Sequence, residues 1–153
     1  MARTDRASRV IAAPIDRVWA ALVDPDGLLA WLPPSGMTGT FERFDARPGG
    51  SYRLVLTYAD GSGAHGKTTE DADVVEARFV DIVPGSRVVQ AVEFVSEDPA
   101  FAGTMTMTWA VTAVGAGTRV DIIAEDVPEG ISAEDHAEGL GSSLANLAAY
   151  LER

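Results

Sequence analysis

Cysteine is absent from the 153 residues, and lysine occurs once, as Lys67. Without thiols there is no disulfide, thiolate zinc site, iron–sulfur cluster or cysteine nucleophile, and nothing from which to read a redox compartment. Histidine occurs twice, at His65 in a glycine-rich stretch and at His136 far downstream. Neither has a histidine or a regularly spaced carboxylate nearby, so a zinc site would require distant folding, and no metal or other cofactor is expected. Positive charge is scarce as well: 12 basic residues stand against 23 acidic ones, a formal charge of −11. Such a chain repels polyphosphate and anionic lipid, so neither a nucleic-acid nor a membrane partner is expected. No run approaches the roughly 20 apolar residues of a membrane-crossing helix. Val10 to Ala13 is too short for the apolar core of a signal peptide before Pro14 intervenes, which points to a cytoplasmic protein. Gly61 to Gly66 lacks the Lys-Ser/Thr ending of a phosphate loop, no Gly-x-Ser-x-Gly occurs, and no segment repeats.

What is present suits one globular domain: 46% apolar and 23% charged residues, in a length that fills a domain of about 100–200 residues. Ser8 to Ala12 reads as a first strand. Pro14 opens a helix whose Ile15, Val18, Trp19 and Leu22 fall on one face. Asp24 caps a second short helix with Pro25 in its first turn and Leu28, Leu29, Trp31 and Leu32 on its apolar side; Pro33–Pro34 stops it. Strands follow over Met37–Asp45, Ser51–Tyr58, Thr68–Val83 (long, polar, bent or bulged), Arg87–Val95, Thr104–Thr112 and Thr118–Ala124. Turns fall at Gly49–Gly50, Pro84–Gly85 and Gly115–Gly117, a loop at Ala59–Gly66, and a connection at Ser96–Ala102. Ser51–Tyr58 and Thr104–Thr112 alternate cleanly, putting Tyr52, Leu54, Leu56 and Tyr58 on one face of the first and Met105, Met107, Trp109 and Val111 on one face of the second. In Arg87–Val95 either Val88, Gln90, Val92 and Phe94, or Val89, Ala91 and Val95, form the inner face. Ser132 and Asp135 resemble a capping box. Leu140, Leu144, Leu147 and Leu151 then make an apolar helical stripe, extended upstream by Ala137. Gly139 and Gly141 within that helix suggest close backbone approach or a kink.

The order is strand, two short helices, six strands, one long helix. Consecutive strands joined by short turns imply an antiparallel meander, and the long helix is the element able to cover its one apolar face. A curved sheet around one helix leaves space between them, the physical basis of a ligand cavity.

Ile11–Ala13–Pro14 leading into Val18–Trp19 and Leu22, Asp24–Pro25 with Trp31, Asp45–Ala46–Arg47–Pro48–Gly49–Gly50 before Tyr52–Arg53, Gly117–Thr118–Arg119–Val120, and the closing Gly139 with Leu144–Leu147–Tyr150–Leu151 form a set. Together they resemble the Hsp90-ATPase-activator-like branch of the START-like (polyketide cyclase, Bet v 1-like) superfamily, from about Arg9 to Glu152. The resemblance implies an α+β helix-grip fold: a curved antiparallel sheet of six to seven strands around a long C-terminal helix, with two short helices after strand 1. It also implies a cavity that often takes small hydrophobic molecules. Members commonly carry a tryptophan beside a glycine near the start of the last helix, where this chain has Gly139–Leu140–Gly141–Ser142. The activator proteins have an additional Hsp90-binding domain, for which one START-like domain spanning 1–153 leaves no residues.

The candidate ligand-binding residues are Trp31, Phe41, Tyr52, Leu54, Leu56, Phe94, Met105, Met107, Trp109, Leu140 and Leu144. Methionines adapt to ligand shape, and Tyr52 and Trp109 carry polar tips that need a partner when buried. Each of these residues also reads as ordinary core. Asp45, Arg47 and Gly49–Gly50 read as a braced turn, Glu70, Asp71, Asp73 and Glu76 as a solvated face, and His65 as an exposed loop residue. Glu93 and Arg78 are the candidates for a polar group aimed inward. The leading expectation is a small hydrophobic molecule bound between sheet and helix with no catalytic residue. A cyclase- or dehydratase-like enzyme of the same fold and a chaperone-linked interaction module are the alternatives. Homodimerisation through an edge strand or the last helix is left open.

Overall fold

The computed structural model describes residues 3–33, 37–58, 72–94, 99–101 and 103–152. Strand β1 (Thr4–Ile11) leads to helices α1 (Ile15–Val23) and α2 (Pro25–Trp31). Then come β2 (Met37–Phe44), β3 (Ser51–Tyr58), β4 (Ala72–Val83), β5 (Arg87–Phe94), a 3₁₀ turn at Pro99–Phe101, β6 (Met105–Val114), β7 (Gly117–Glu125) and α3 (Ala133–Leu151). The seven strands form one antiparallel sheet in the order β1-β7-β6-β5-β4-β3-β2. This is the helix-grip arrangement: a curled meander whose first strand returns to pair with its last, with α3 and the two short helices after β1.

Local chemistry sets the helix ends. The Asp24 carboxylate accepts a hydrogen bond from the Gly27 amide at 2.9 Å, and Pro25 occupies the first turn of α2. The Ser132 hydroxyl accepts from the Asp135 amide at 3.0 Å and starts α3. Pro14 is the N-cap of α1 rather than its first helical residue. The first strand begins at Thr4, not Ser8, because its polar residues pair with β7 from Glu125 backward. That stretch alternates in burial without alternating in hydrophobicity, so its composition hid it.

In β5 the register puts Val88, Gln90 and Val92 inside. Arg78 and Glu93, the expected inward polar groups, are exposed, and Glu93 accepts a hydrogen bond from the Thr104 hydroxyl. The long fourth strand carries the expected bulge, a register shift between Phe79 and Asp81. Gly50 is required at its turn, since a Cβ there would lie 2.2 Å from the Asp45 carbonyl oxygen. The Asp45–Arg47 ion pair at 2.7 Å beside it is exposed, consistent with a braced turn. Gly139 and Gly141 have open space where a side chain would begin, so close backbone approach does not explain them. Residues 59–71, which include His65, Glu70 and Asp71, lie outside the described residues, as do 34–36 and 95–98.

Candidate functional site

The sheet's inner face can be followed row by row across the strands. One row runs Phe44–Tyr52–Ala77–Val92–Met105, another Ile82–Val88–Trp109–Ile122–Ala7. Between them runs Phe79–Gln90–Met107–Ala124–Asp5. Directly opposed residues point to the same side of a sheet. The third row therefore carries a buried amide, Gln90, and a carboxylate, Asp5, onto a mainly apolar face.

Over these rows lies a cavity of ≈360 Å³, within the range of about 300–1,000 Å³ typical of small-molecule sites. The helices contribute Leu22, Leu28, Trp31 and Leu32 to its wall, and the sheet contributes residues of β2 through β6, among them Tyr52, Val75, Gln90 and Trp109. Helix α3 contributes His136, Leu140 and Ser143, at i, i+4 and i+7 on one helical face.

Nine of the candidate residues border this space: Trp31, Tyr52, Leu54, Leu56, Phe94, Met105, Met107, Trp109 and Leu140. Phe41 and Leu144 do not. Phe41 is packed into an aromatic block, its ring centroid 4.8 Å from that of Phe44 (tilted) and 5.3 Å from that of Tyr52 (edge to face). Leu144, one turn past Leu140, is packed into the core. Trp31 and Trp109 meet edge to face with centroids 5.4 Å apart, and the Trp31 indole N–H donates to the Ala21 carbonyl at 2.9 Å. The Trp109 indole has no such commitment among the described residues. Burial pushes the Tyr52 hydroxyl pKa up, so it remains a protonated donor at neutral pH.

The polar group that sequence reasoning missed is His136. Its Nδ1 lies 2.6 Å from the Asp5 carboxylate. Arg3 grips the same carboxylate, Nε at 3.0 Å from Oδ1 and Nη2 at 3.0 Å from Oδ2, and donates to the Ile131 carbonyl at 2.6 Å. The Asp5 and His136 side chains are only 11% and 12% exposed. Burial would raise the Asp5 pKa, but the hydrogen bonds and charges of Arg3 and His136 outweigh it and hold the carboxyl below its usual value. The signal was available. His136 lies four residues before Leu140 and shares its face, whereas Ala137, the expected upstream extension of the stripe, is exposed. Ser143 lies seven residues beyond His136, about 10 Å along the helix axis at 1.5 Å per residue. That separation is too long for a hydroxyl–imidazole pair.

Among the described residues no helix is long and apolar enough to cross a membrane, which says nothing of strands that cross as barrels. No group of three or more metal-ligating side chains occurs among them.

The architecture recurs widely. A protein from Chromobacterium violaceum is 30% identical, with a TM-score of 0.85 over 99% of each chain. One from Rhizobium leguminosarum is 26% identical with a TM-score of 0.78, covering 100% of this chain and 96% of the other. DynU16, from the dynemicin biosynthetic locus, shares the fold at 21% identity and a TM-score of 0.70, this chain matching 47% of its length. No curated protein matches the sequence. Residues 12–152 match the model of the family described as activator of Hsp90 ATPase homolog 1-like protein. With nearly the whole chain matched, a seven-stranded sheet curled around a terminal helix and a cavity between them, the protein belongs to the activator of Hsp90 ATPase homolog 1-like family.

Proposed function

We propose that this protein binds a small, mainly apolar molecule between the concave sheet and the first half of α3. The observation that carries the reading is the ≈360 Å³ space itself, walled by aliphatic, aromatic and methionine side chains with a few polar atoms among them. Burial of a guest's apolar surface there contributes roughly 25 cal/mol per Å² removed from water, before the cost of immobilising it. Met105 and Met107 supply unbranched, polarisable walls that adapt to differing shapes. Rows of side chains from a rigid sheet hold the rest of the wall in place.

Trp31 and Trp109 both border the space, so their fluorescence reports directly on an occupant. Titration with naphthalene derivatives should change the emission saturably, and native mass spectrometry should show one guest per chain. Met107→Trp, which fills part of the space, should abolish uptake while the far-ultraviolet spectrum is kept. Absence of uptake by the unaltered protein across an apolar library, or undiminished uptake by Met107→Trp, would contradict the proposal.

A further inference from the structure

The cavity's apolar walls account for greasy binding but not for the Arg3–Asp5–His136 chain built against one end of it. Asp5 faces inward because it stands in the row Gln90–Met107–Ala124–Asp5, and Ala124 is small enough to leave room above it. A carboxylate gripped by a guanidinium and held below its usual pKa is ionised at neutral pH, hence purely an acceptor. The nitrogen 2.6 Å away must therefore be the donor, which fixes the proton on Nδ1 of His136. In the neutral ring Nε2 then carries the lone pair. With Nδ1 turned to Asp5 and the residue in the cavity wall, Nε2 is the ring nitrogen left for an occupant. Gln90 and Ser143, the other polar wall residues of β5 and α3, can each donate as well as accept; an imidazole in this tautomer offers Nε2 only as an acceptor.

Resting on the reading of the cavity as a ligand site, we propose that His136 Nε2 is an oriented hydrogen-bond acceptor that selects, among apolar guests, those bearing a hydroxyl donor, above all phenols. An aromatic body suits the walls set by Trp31, Phe94 and Trp109. A phenol's acidic hydroxyl gives imidazole a stronger hydrogen bond than an aliphatic alcohol does. Asp5 is the positioning residue, and Arg3 keeps it ionised.

The test compares 2-naphthol with 2-methylnaphthalene, which replaces the hydroxyl by a methyl of similar size and greater hydrophobicity. The unaltered protein should bind 2-naphthol at least about tenfold more tightly, the effect of one well-made hydrogen bond. His136→Leu should erase that ratio, bringing the two affinities together. Asp5→Asn, which removes the charge that fixes the tautomer, should lower the ratio of the two affinities. In nitrogen-15 NMR the His136 Nε2 resonance should move on addition of 2-naphthol and far less with 2-methylnaphthalene, a difference a merely structural clasp would not give. Equal affinity for the two compounds, or a ratio unchanged in His136→Leu, would overturn the hydroxyl selection and leave the cavity reading standing. Uptake of neither compound would overturn both.

Discussion

The two halves of α3 belong to one unbroken helix and behave differently in the fold. The second half sets Leu144, Leu147, Ala148 and Leu151 into the core. It is anchored by Asn146, which donates to the Pro33 carbonyl at 3.1 Å, and by Glu152, which accepts from the Ala12 amide at 2.9 Å. The first half sets His136, Leu140 and Ser143 against open space, carries two glycines, and is tied to β1 by a histidine–carboxylate contact. One helix thus does two jobs. Where its stripe is continuous leucine it closes the domain; where the stripe gives way to serine and histidine it borders the cavity.

The largest expected effect breaks the comparison at its dry end. Leu147 is fully buried, so Leu147→Ala should cost about 2–5 kcal/mol, as deletions in a filled core do. Leu140→Ala should cost about 2 kcal/mol or less, because that side chain already borders a void. Urea denaturation of the two variants gives the difference directly; equal losses would mean that the halves are packed alike.

A smaller effect sharpens the wet end. The Asp5 carboxyl has a folded pKa below its unfolded value of about 3.9. Its interactions therefore stabilise the fold above that value, and the contribution is lost as pH falls through the lower folded value. The stability gap between the unaltered protein and Asp5→Asn should narrow as pH falls below about 4. Glu76 is held low first by its hydrogen bond from Arg53, then by Arg43, against the opposing effect of burial. It should show the same sign with a weaker response, since its side chain is 31% exposed. A gap that widens on acidification would contradict the assigned ion pairs.

The smallest effect concerns the glycines. Both Gly139 and Gly141 have open space at the Cβ position. Gly139→Ala and Gly141→Ala should therefore each stabilise the protein by up to about 1 kcal/mol, a rise of about 2–4 °C in Tm. A loss of stability would indicate a backbone requirement that the geometry does not reveal.

The element order was legible because turn residues and alternation coincide: Gly49–Gly50, Pro84–Gly85 and Gly115–Gly117 separate runs whose inner faces are plainly apolar. Most of the cavity wall was legible for the same reason. What failed were positions where polarity and direction part company. Asp5 and Gln90 point inward on strands, and His136 points inward on a helix, yet each is a polar residue that pattern reading assigns to solvent or leaves ambiguous. Their places depend on pairings distant in sequence, β1 with β7 and β5 with β6, which no local window contains. Phe41 failed the opposite way: an apolar residue at the right parity, diverted by neighbouring aromatic rings into packing.

Methyl NMR of the protein titrated with 2-methylnaphthalene tests the division of α3 most directly. The methyl resonances of Met107 and Leu140 should move saturably, while those of Leu147 and Leu151 stay where they are. Equal shifts along the whole helix, or none at Met107 and Leu140, would contradict the account.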